Sequence, residues 1–256
     1  MDGRYSRQIA FHGIGNDGQR RLSVARAAIV GLGALGTVAA DRLCRAGVGY
    51  LRLIDSDKVE LSNLQRQLLY TEADIGKSKV IASAERLREI NSEIAIEPLQ
   101  TRLESSGDPA LAGVDIVLDC TDNAAARYLI NDVCRKSGIP WIHGAAAGSS
   151  GVVFSVVEGG ACFRCLYPDA DTAGETAATS GMLNPLTAIV GAFQACEAMK
   201  VLLGTPTSGL MMFDIWNGVF EHINVERNPD CPDISLHLGT SDKLSVRANR
   251  GVARCS

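Results

Sequence analysis

The chain has 256 residues, 46% of them apolar and 21% charged, and a net charge of −4. That composition suits a soluble globular domain with a sizeable core and excludes an electrostatic grip on nucleic acid or an anionic membrane. The polar, charged start from Met1 to Arg7 carries no secretory signal, which places the chain in the cytoplasm.

Ala27 to Gly31 reads as a buried parallel strand, Leu35 to Ala46 as the helix after it, and Tyr50 to Ile54 as a second strand. A polar loop runs from Asp55 to Gln67. Val80, Ala84, Leu87 and Ile90 recur at helical spacing, which predicts a helix over Lys77 to Ile90. Ala95 to Gln100 is a third strand and Asp115 to Cys120 a fourth, followed by a helix from Asn123 to Lys136. Pro140 to His143 and Val152 to Val157 are further strands, and Leu186 to Leu203 is a long apolar helix. Met211 to Ile215 and Val219 to Val225 read as a closing hairpin with Asn217-Gly218 at its turn. Two stretches without formal charge, Ser137 to Val157 and Thr176 to Cys196, are interrupted by glycine, proline or polar residues and read as buried core rather than membrane spans.

Alternating strands and helices predict an α/β fold, a doubly wound and mostly parallel Rossmann-like sheet closed by C-terminal antiparallel strands. Residues 1–227 form the domain. From Asn228 the chain is polar and weakly patterned, so 228–256 read as a tail. Eight cysteines without a secretory signal argue for reduced thiols or metal rather than disulfides. Cys44, Cys120, Cys134 and Cys196 sit in apolar or helical contexts and read as small buried side chains. His143, on a strand, reads as structural.

Gly31-Leu32-Gly33-Ala34-Leu35-Gly36 is a G-x-G-x-x-G run that follows a strand and opens a helix. Such glycines allow a tight turn and bring phosphate close to N–H groups at a helix N-terminus. Asp55 ends the next strand, 19 residues after Gly36, where a carboxylate accepts ribose hydroxyls. The run signals a nucleotide and does not separate NAD from ATP. Ser62-Asn63-Leu64-Gln65-Arg66-Gln67 and Gly76-Lys77-Ser78-Lys79 follow. A triphosphate needs cations beside its phosphate loop and a nicotinamide does not. Arg66 forks onto phosphate oxygens, and Lys79 supplies a point charge. Cys120-Thr121-Asp122-Asn123 ends the fourth strand, at the sheet edge where ligands bind. Asp122 is placed to hold Mg²⁺ or to cap the helix that follows.

These segments, with Arg4-Tyr5-Ser6-Arg7-Gln8, Leu53-Ile54-Asp55-Ser56-Asp57 and Cys162-Phe163-Arg164-Cys165, occur in an order that closely resembles the ThiF/MoeB/HesA family, bacterial relatives of ubiquitin-activating enzymes. The resemblance covers Arg4 to Cys231. It implies an adenylyltransferase acting on the C-terminal Gly-Gly of a small ubiquitin-like sulfur-carrier protein. It implies ATP contacts for the glycine loop (Gly31, Gly33, Gly36), Asp55, Asp57, Asn63, Arg66 and Lys79, with Mg²⁺ at Asp122. It also implies a homodimer in which Arg7 reaches into the partner's site. The carboxylate attacks the α-phosphorus and pyrophosphate leaves, so catalysis rests on positioning and charge stabilisation by Arg7, Arg66, Lys79 and Asp122.

Two features depart from the family pattern. Many relatives carry a cysteine in the loop before the long apolar helix, and Ala177 stands there in this chain. Relatives also bind structural Zn²⁺ through two C-x-x-C pairs. Here Cys162 and Cys165 form the first pair, while the second is only Cys231-Pro232-Asp233-Ile234. The fourth ligand is then expected at His237, slightly ahead of Cys255, with Asp233 less natural beside thiolates; the alternative is a decayed site in which the three cysteines are free. With no sulfurtransferase domain after Cys231, the sulfur donor is expected to be a separate protein. Three other readings stay open: adenylylation of a peptide or pathway-specific carrier in natural-product biosynthesis, an NAD-dependent dehydrogenase, and a non-catalytic binding module. The dehydrogenase leaves Arg66 and Lys79 unexplained, and a binding module has no need of Arg66, Lys79 and Asp122 together.

Overall fold

The computed structural model describes residues 3–105, 108–168 and 180–231. Parallel strands β1 (Arg26–Val30), β2 (Tyr50–Ile54), β3 (Ala95–Leu99), β4 (Ile116–Asp119) and β5 (Trp141–Ala147) make one half of the sheet. Strands β6 (Ser150–Val156), β7 (Leu210–Asp214) and β8 (Val219–Ile223) follow, each antiparallel to its neighbour. Among the described residues the order is β3-β2-β1-β4-β5-β6-β7-β8. The short apolar run of β4 is buried at every position, as expected of a strand covered on both faces.

The two-residue period of β1 divides two cores. Ala27 and Ile29 point into one, shared with α2 (Gly15–Val24), α3 (Ala34–Ala46), α4 (Lys79–Ile90) and α7 (Asn184–Leu202). Ala28 and Val30 point into the other, beneath α5 (Ala124–Ser137) and α6 (Phe163–Leu166). Helix α7 is apolar nearly all round, so it must be buried. Glycines admit it: a Cβ on Gly191 would lie 2.8 Å from the Leu35 carbonyl oxygen, and side chains on Gly144 or Gly151 would collide with Gln194 or Val190.

The chain winds from β1 outward to β2 and β3, then returns to β4 on the other side of β1. The loops that leave the carboxyl ends of β1 and β4 therefore diverge, and ligands bind at that kind of switch point.

Several boundaries differ from the sequence expectation. Helix α4 starts at Lys79 rather than Lys77, because Gly76 takes φ +87° and Lys77 closes a turn onto Asp74. Strand β5 continues from His143 to Ala147, where antiparallel pairing to β6 sustains it. Helices α1 (Ser6–Ile9) and α2 lack a strong apolar period and were not expected. Cys196, read as buried, is exposed on α7. The other three of that group, Cys44, Cys120 and Cys134, are buried. No described helix is long and apolar enough to cross a membrane.

Candidate active site

The three loop glycines do three different jobs. Gly31 takes φ +91°, and a Cβ there would lie 2.7 Å from the Cys120 carbonyl oxygen. Gly36 packs so closely on the Gly31 carbonyl that any side chain would collide with it. Gly33 faces open space, with only Gln67 Nε2, at 3.9 Å, near the place a Cβ would take. Gly33 is also the N-cap of α3 and contributes no capping side chain, so the first N–H groups of the helix are left for an anion. Tyr70 fixes this loop to α4: its hydroxyl donates to Leu32 O (2.8 Å) and meets Ser83 Oγ at 3.0 Å.

The acids and cations converge beside that loop. Asp55 follows β2 and accepts from Leu32 N–H and Asp57 N–H, both at 2.7 Å, so it braces the glycine loop and still has lone pairs to spare. Asn63 is buried, and its Oδ1 accepts from Glu60 N–H (3.1 Å), which shapes the turn that carries Arg66. Arg66 donates to Ser62 O (2.9 Å). Lys79 is 7% exposed and donates to Asp57 Oδ2 at 3.3 Å. Arg102, on the loop after β3, donates to the other oxygen of Asp57 at 3.0 Å. Burial alone would raise the Asp57 carboxyl, but Lys79 and Arg102 outweigh it and hold it below the ordinary aspartate range.

At the end of β4, Asn123 and not Asp122 caps α5, accepting from Ala126 N–H at 2.9 Å. The exposed Asp122 carboxylate is thereby left to face the cleft, touching only Asn123 Nδ2 (3.5 Å) among the described residues. Asp119 holds the turn from below. Its Oδ1 accepts from Thr121 N–H (3.0 Å) and Thr121 Oγ1–H (2.7 Å), its Oδ2 from His143 Nδ1–H (2.8 Å), and its main-chain oxygen from Gln194 Nε2 (2.6 Å). Burial lowers the His143 imidazole, and the Asp119 carboxyl, which burial would raise, is held down by His143 and Arg127. The pair is therefore a neutral imidazole donating to a carboxylate. His143 is buried against Asp119 and also lines the cleft.

Glycine loop, Arg66, Lys79 and Asp122 all line one cleft of about 1580 Å³. It continues over β5 and β6 to β8 through Ala145, Val152, Met212 and Val219. That extension mixes these apolar side chains with Ser150, Asp214 and Glu221. Arg7 does not line it. Helix α1 is tied to the far end of α3, where Gln8 donates to Ala46 O at 2.8 Å. Thirteen residues of α3 put roughly 20 Å between that end and the glycine loop. Arg7 cannot reach the site of its own chain.

A second cluster lies under α5. Cys162 Sγ sits 3.7 Å from Cys165 Sγ and 3.5 Å from Cys231 Sγ, and all three sulfurs lie within 4.8 Å of one another. Tetrahedral Zn–S bonds of about 2.3 Å require sulfurs roughly 3.8 Å apart, so the three fit one ion. Hydrogen bonding to Cys162 pulls the Cys165 thiol down, in the direction a metal ligand needs. His237, Cys255 and Asp233, the candidates for a fourth ligand, lie outside the described residues, as does Ala177.

Asp119, Arg102 and Gln67 were not singled out from the sequence. Asp119 carries the one available signal, an acid at the end of a buried apolar strand. Arg102 sits in an unpatterned loop, and Gln67 was masked by Arg66 beside it.

The sequence pattern of the ThiF family matches residues 5–233. The chain is 42% identical to the SAMP-activating enzyme E1 of Haloferax volcanii over 235 residues, 90% of this chain and 87% of that protein. It is 43% identical to the molybdopterin-synthase adenylyltransferase of Escherichia coli over 234 residues, 89% of this chain and 94% of that protein. Its fold matches the crystal structure of E. coli MccB with ATP, with a TM-score of 0.79 and 23% identity across 91% of this chain and 74% of that one.

Proposed function

The chain belongs to the ThiF family, and from that membership we propose that it adenylylates the C-terminal Gly-Gly carboxylate of a small ubiquitin-like sulfur-carrier protein, consuming ATP and releasing pyrophosphate. One observation carries the reading. The open face of the glycine loop, the cations Arg66 and Lys79, and the uncommitted carboxylate of Asp122 meet in a single cleft at the switch point of the sheet.

A C-terminal carboxylate has a pKa of roughly 3.5, so it reaches the site ionised and needs no general base. The difficulty is its repulsion from the triphosphate. Arg66 and Lys79 offset that repulsion and stabilise the charge that grows on the leaving pyrophosphate. The N–H groups at the start of α3 hold phosphate oxygens, and Asp55 and Asp57 orient the ribose. The part of the cleft over β5 to β8 takes the extended carrier tail and keeps its carboxylate in line with the α-phosphorus. Asp122 would hold Mg²⁺, which would supply neutralisation of phosphate charge.

Arg7 serves the partner's site in a homodimer, since it lies a helix length from its own. Residues 1–227 are the adenylyltransferase domain, and residues 228–256 are a tail fixed through Cys231. The reaction on this chain ends at the acyl adenylate, because Ala177 has no thiol to take over the acyl group, and a separate protein then donates sulfur. Reduced thiols and an ATP supply place the enzyme in the cytoplasm.

Cys162, Cys165 and Cys231 hold Zn²⁺, with His237 ahead of Cys255 as the fourth ligand. Metal analysis of protein purified without chelator should find one zinc per chain, and less than a tenth of an equivalent would refute this assignment. The functional reading is tested by pyrophosphate exchange into ATP. A carrier ending in Gly-Gly should support exchange, and the same carrier bearing a C-terminal amide should not. Exchange driven equally well by the amidated carrier would refute the proposal, and exchange driven only by a short peptide would move the substrate assignment.

A further inference from the structure

We infer that His143 is a positioning residue that works through Asp119 to fix the turn on which the Asp122 carboxylate is presented to the cleft; this rests on the adenylyltransferase reading. Asp122 cannot aim itself. Among the described residues its carboxylate meets only Asn123 Nδ2, at 3.5 Å. Its direction therefore comes from the two residues that flank it. Asn123 is committed to the cap of α5. Thr121 is bound twice to Asp119 Oδ1, through its N–H (3.0 Å) and its Oγ1–H (2.7 Å). Whatever fixes the Asp119 carboxylate fixes the turn that carries Asp122.

His143 does so from the neighbouring strand. Asp119 and His143 are paired residues of the parallel strands β4 and β5, and imidazole Nδ1–H donates to Asp119 Oδ2 at 2.8 Å. Both side chains are buried. A carboxylate at that depth is costly unless both its oxygens are bonded. Thr121 takes one oxygen and His143 the other, with Arg127 Nε 3.8 Å from the same oxygen as His143. The imidazole is held in its plane by aromatic rings: the centroids of Phe163, Trp141 and Tyr167 lie 5.0, 6.2 and 6.3 Å from its own. Packing at the end of an apolar strand needs no buried acid, and an apolar pair of similar volume costs less there. The acid and its imidazole make sense as a relay from a rigid strand to an exposed turn, the way outer groups hold a metal ligand in place.

The test compares two substitutions of His143 in the full-length protein. His143→Leu removes the donor. His143→Asn keeps one, because its amide nitrogen takes the place of imidazole Nδ1. Calorimetry follows binding of a non-hydrolysable ATP analogue as Mg²⁺ is titrated. In His143→Leu the Mg²⁺ concentration at half-saturation should rise by about tenfold or more, the usual result of losing an outer group behind a metal ligand. Binding of the analogue without Mg²⁺ should stay as it is. His143→Asn fills less of the aromatic pocket, so its thermal midpoint should fall while its Mg²⁺ requirement stays near that of wild type. If the leucine variant does not fold, Thr121→Val decides. It removes the Oγ1–H link to Asp119 and should raise the Mg²⁺ requirement in the same direction. An unchanged requirement in whichever of these two variants folds would overturn the proposal, as would an equal rise in the leucine and asparagine variants, or wild-type binding indifferent to Mg²⁺. If wild-type protein exchanges pyrophosphate with no Gly-Gly carrier, the functional reading fails while the Mg²⁺ titration still judges His143.

Discussion

Lys79 stands in the cleft already paired, sharing the carboxylate of Asp57 with Arg102. An incoming triphosphate offers Lys79 a stronger partner, and the nearly buried position of the ammonium keeps the attraction from being screened by salt. Arg66, tied among the described residues to Ser62 O, has donors left to fork onto two oxygens. In the proposed mechanism they serve charge that develops during the reaction, so Arg66→Ala and Lys79→Ala should each slow exchange on the order of a hundredfold. Loss of ATP affinity should be smaller in both. Exchange rates and nucleotide affinities of the two variants check this, and near-normal exchange in both would place the chemistry elsewhere. That Arg66, Lys79 and Asp122 line one cleft was legible in the sequence, because charged residues beside a glycine loop have few other uses. Asp119 was less so, since its partners lie far away in sequence and spacing along the chain carries no such information.

The glycine loop and α3 form the element on which the site depends, and their three glycines separate folding from binding. A Cβ on Gly36 meets the Gly31 backbone, which cannot yield, so Gly36→Ala should lower the thermal midpoint sharply. A Cβ on Gly33 meets only the end of a flexible side chain, so Gly33→Ala should fold normally and lose nucleotide affinity. Calorimetry on the two variants tests the contrast, and equal destabilisation by both would contradict it. Elements with a marked apolar pattern were readable: β2, the cores of α3 and α4, and the long continuous apolar run of α7 lie where the sequence put them. Helices α1 and α2 were missed, since few apolar residues mark either one and their docking onto α3 comes from polar contacts such as Gln8 to Ala46. The cap of α5 was also ambiguous. Asp122 and Asn123 are both good capping residues, and only the fold shows that Asn123 takes the role and leaves Asp122 for the cleft.

The whole molecule has its cleft at one end of α3 and Arg7 at the other, and this arrangement makes sense in a twofold symmetric pair. Arg7→Ala and Asp122→Ala homodimers should both be inactive. Mixing them should restore activity, to about a quarter of the wild-type level on random exchange of subunits and about half if only mixed dimers form, because every mixed dimer holds one site with both residues intact. Full activity in a monomer, or no recovery on mixing proven by mass, would refute action across an interface. At this scale the order of motifs along the chain revealed the family, and the glycine loop, Asp55 and Cys120 to Asn123 fall at the carboxyl ends of β1, β2 and β4. The sulfur cluster was half legible: the Cys162-Cys165 pair has a recognisable spacing, while the approach of Cys231 depends on where the chain returns after β8. The central claim is transfer of the adenylyl group to a carrier carboxylate, and the most direct measurement follows a label in ATP. With label at the α-phosphate, the carrier should become labelled only when its C-terminal Gly-Gly carboxylate is free, and label at the γ-phosphate should leave with pyrophosphate. A carrier labelled from the γ-phosphate, or left unlabelled from the α-phosphate while ATP is consumed, would contradict the account.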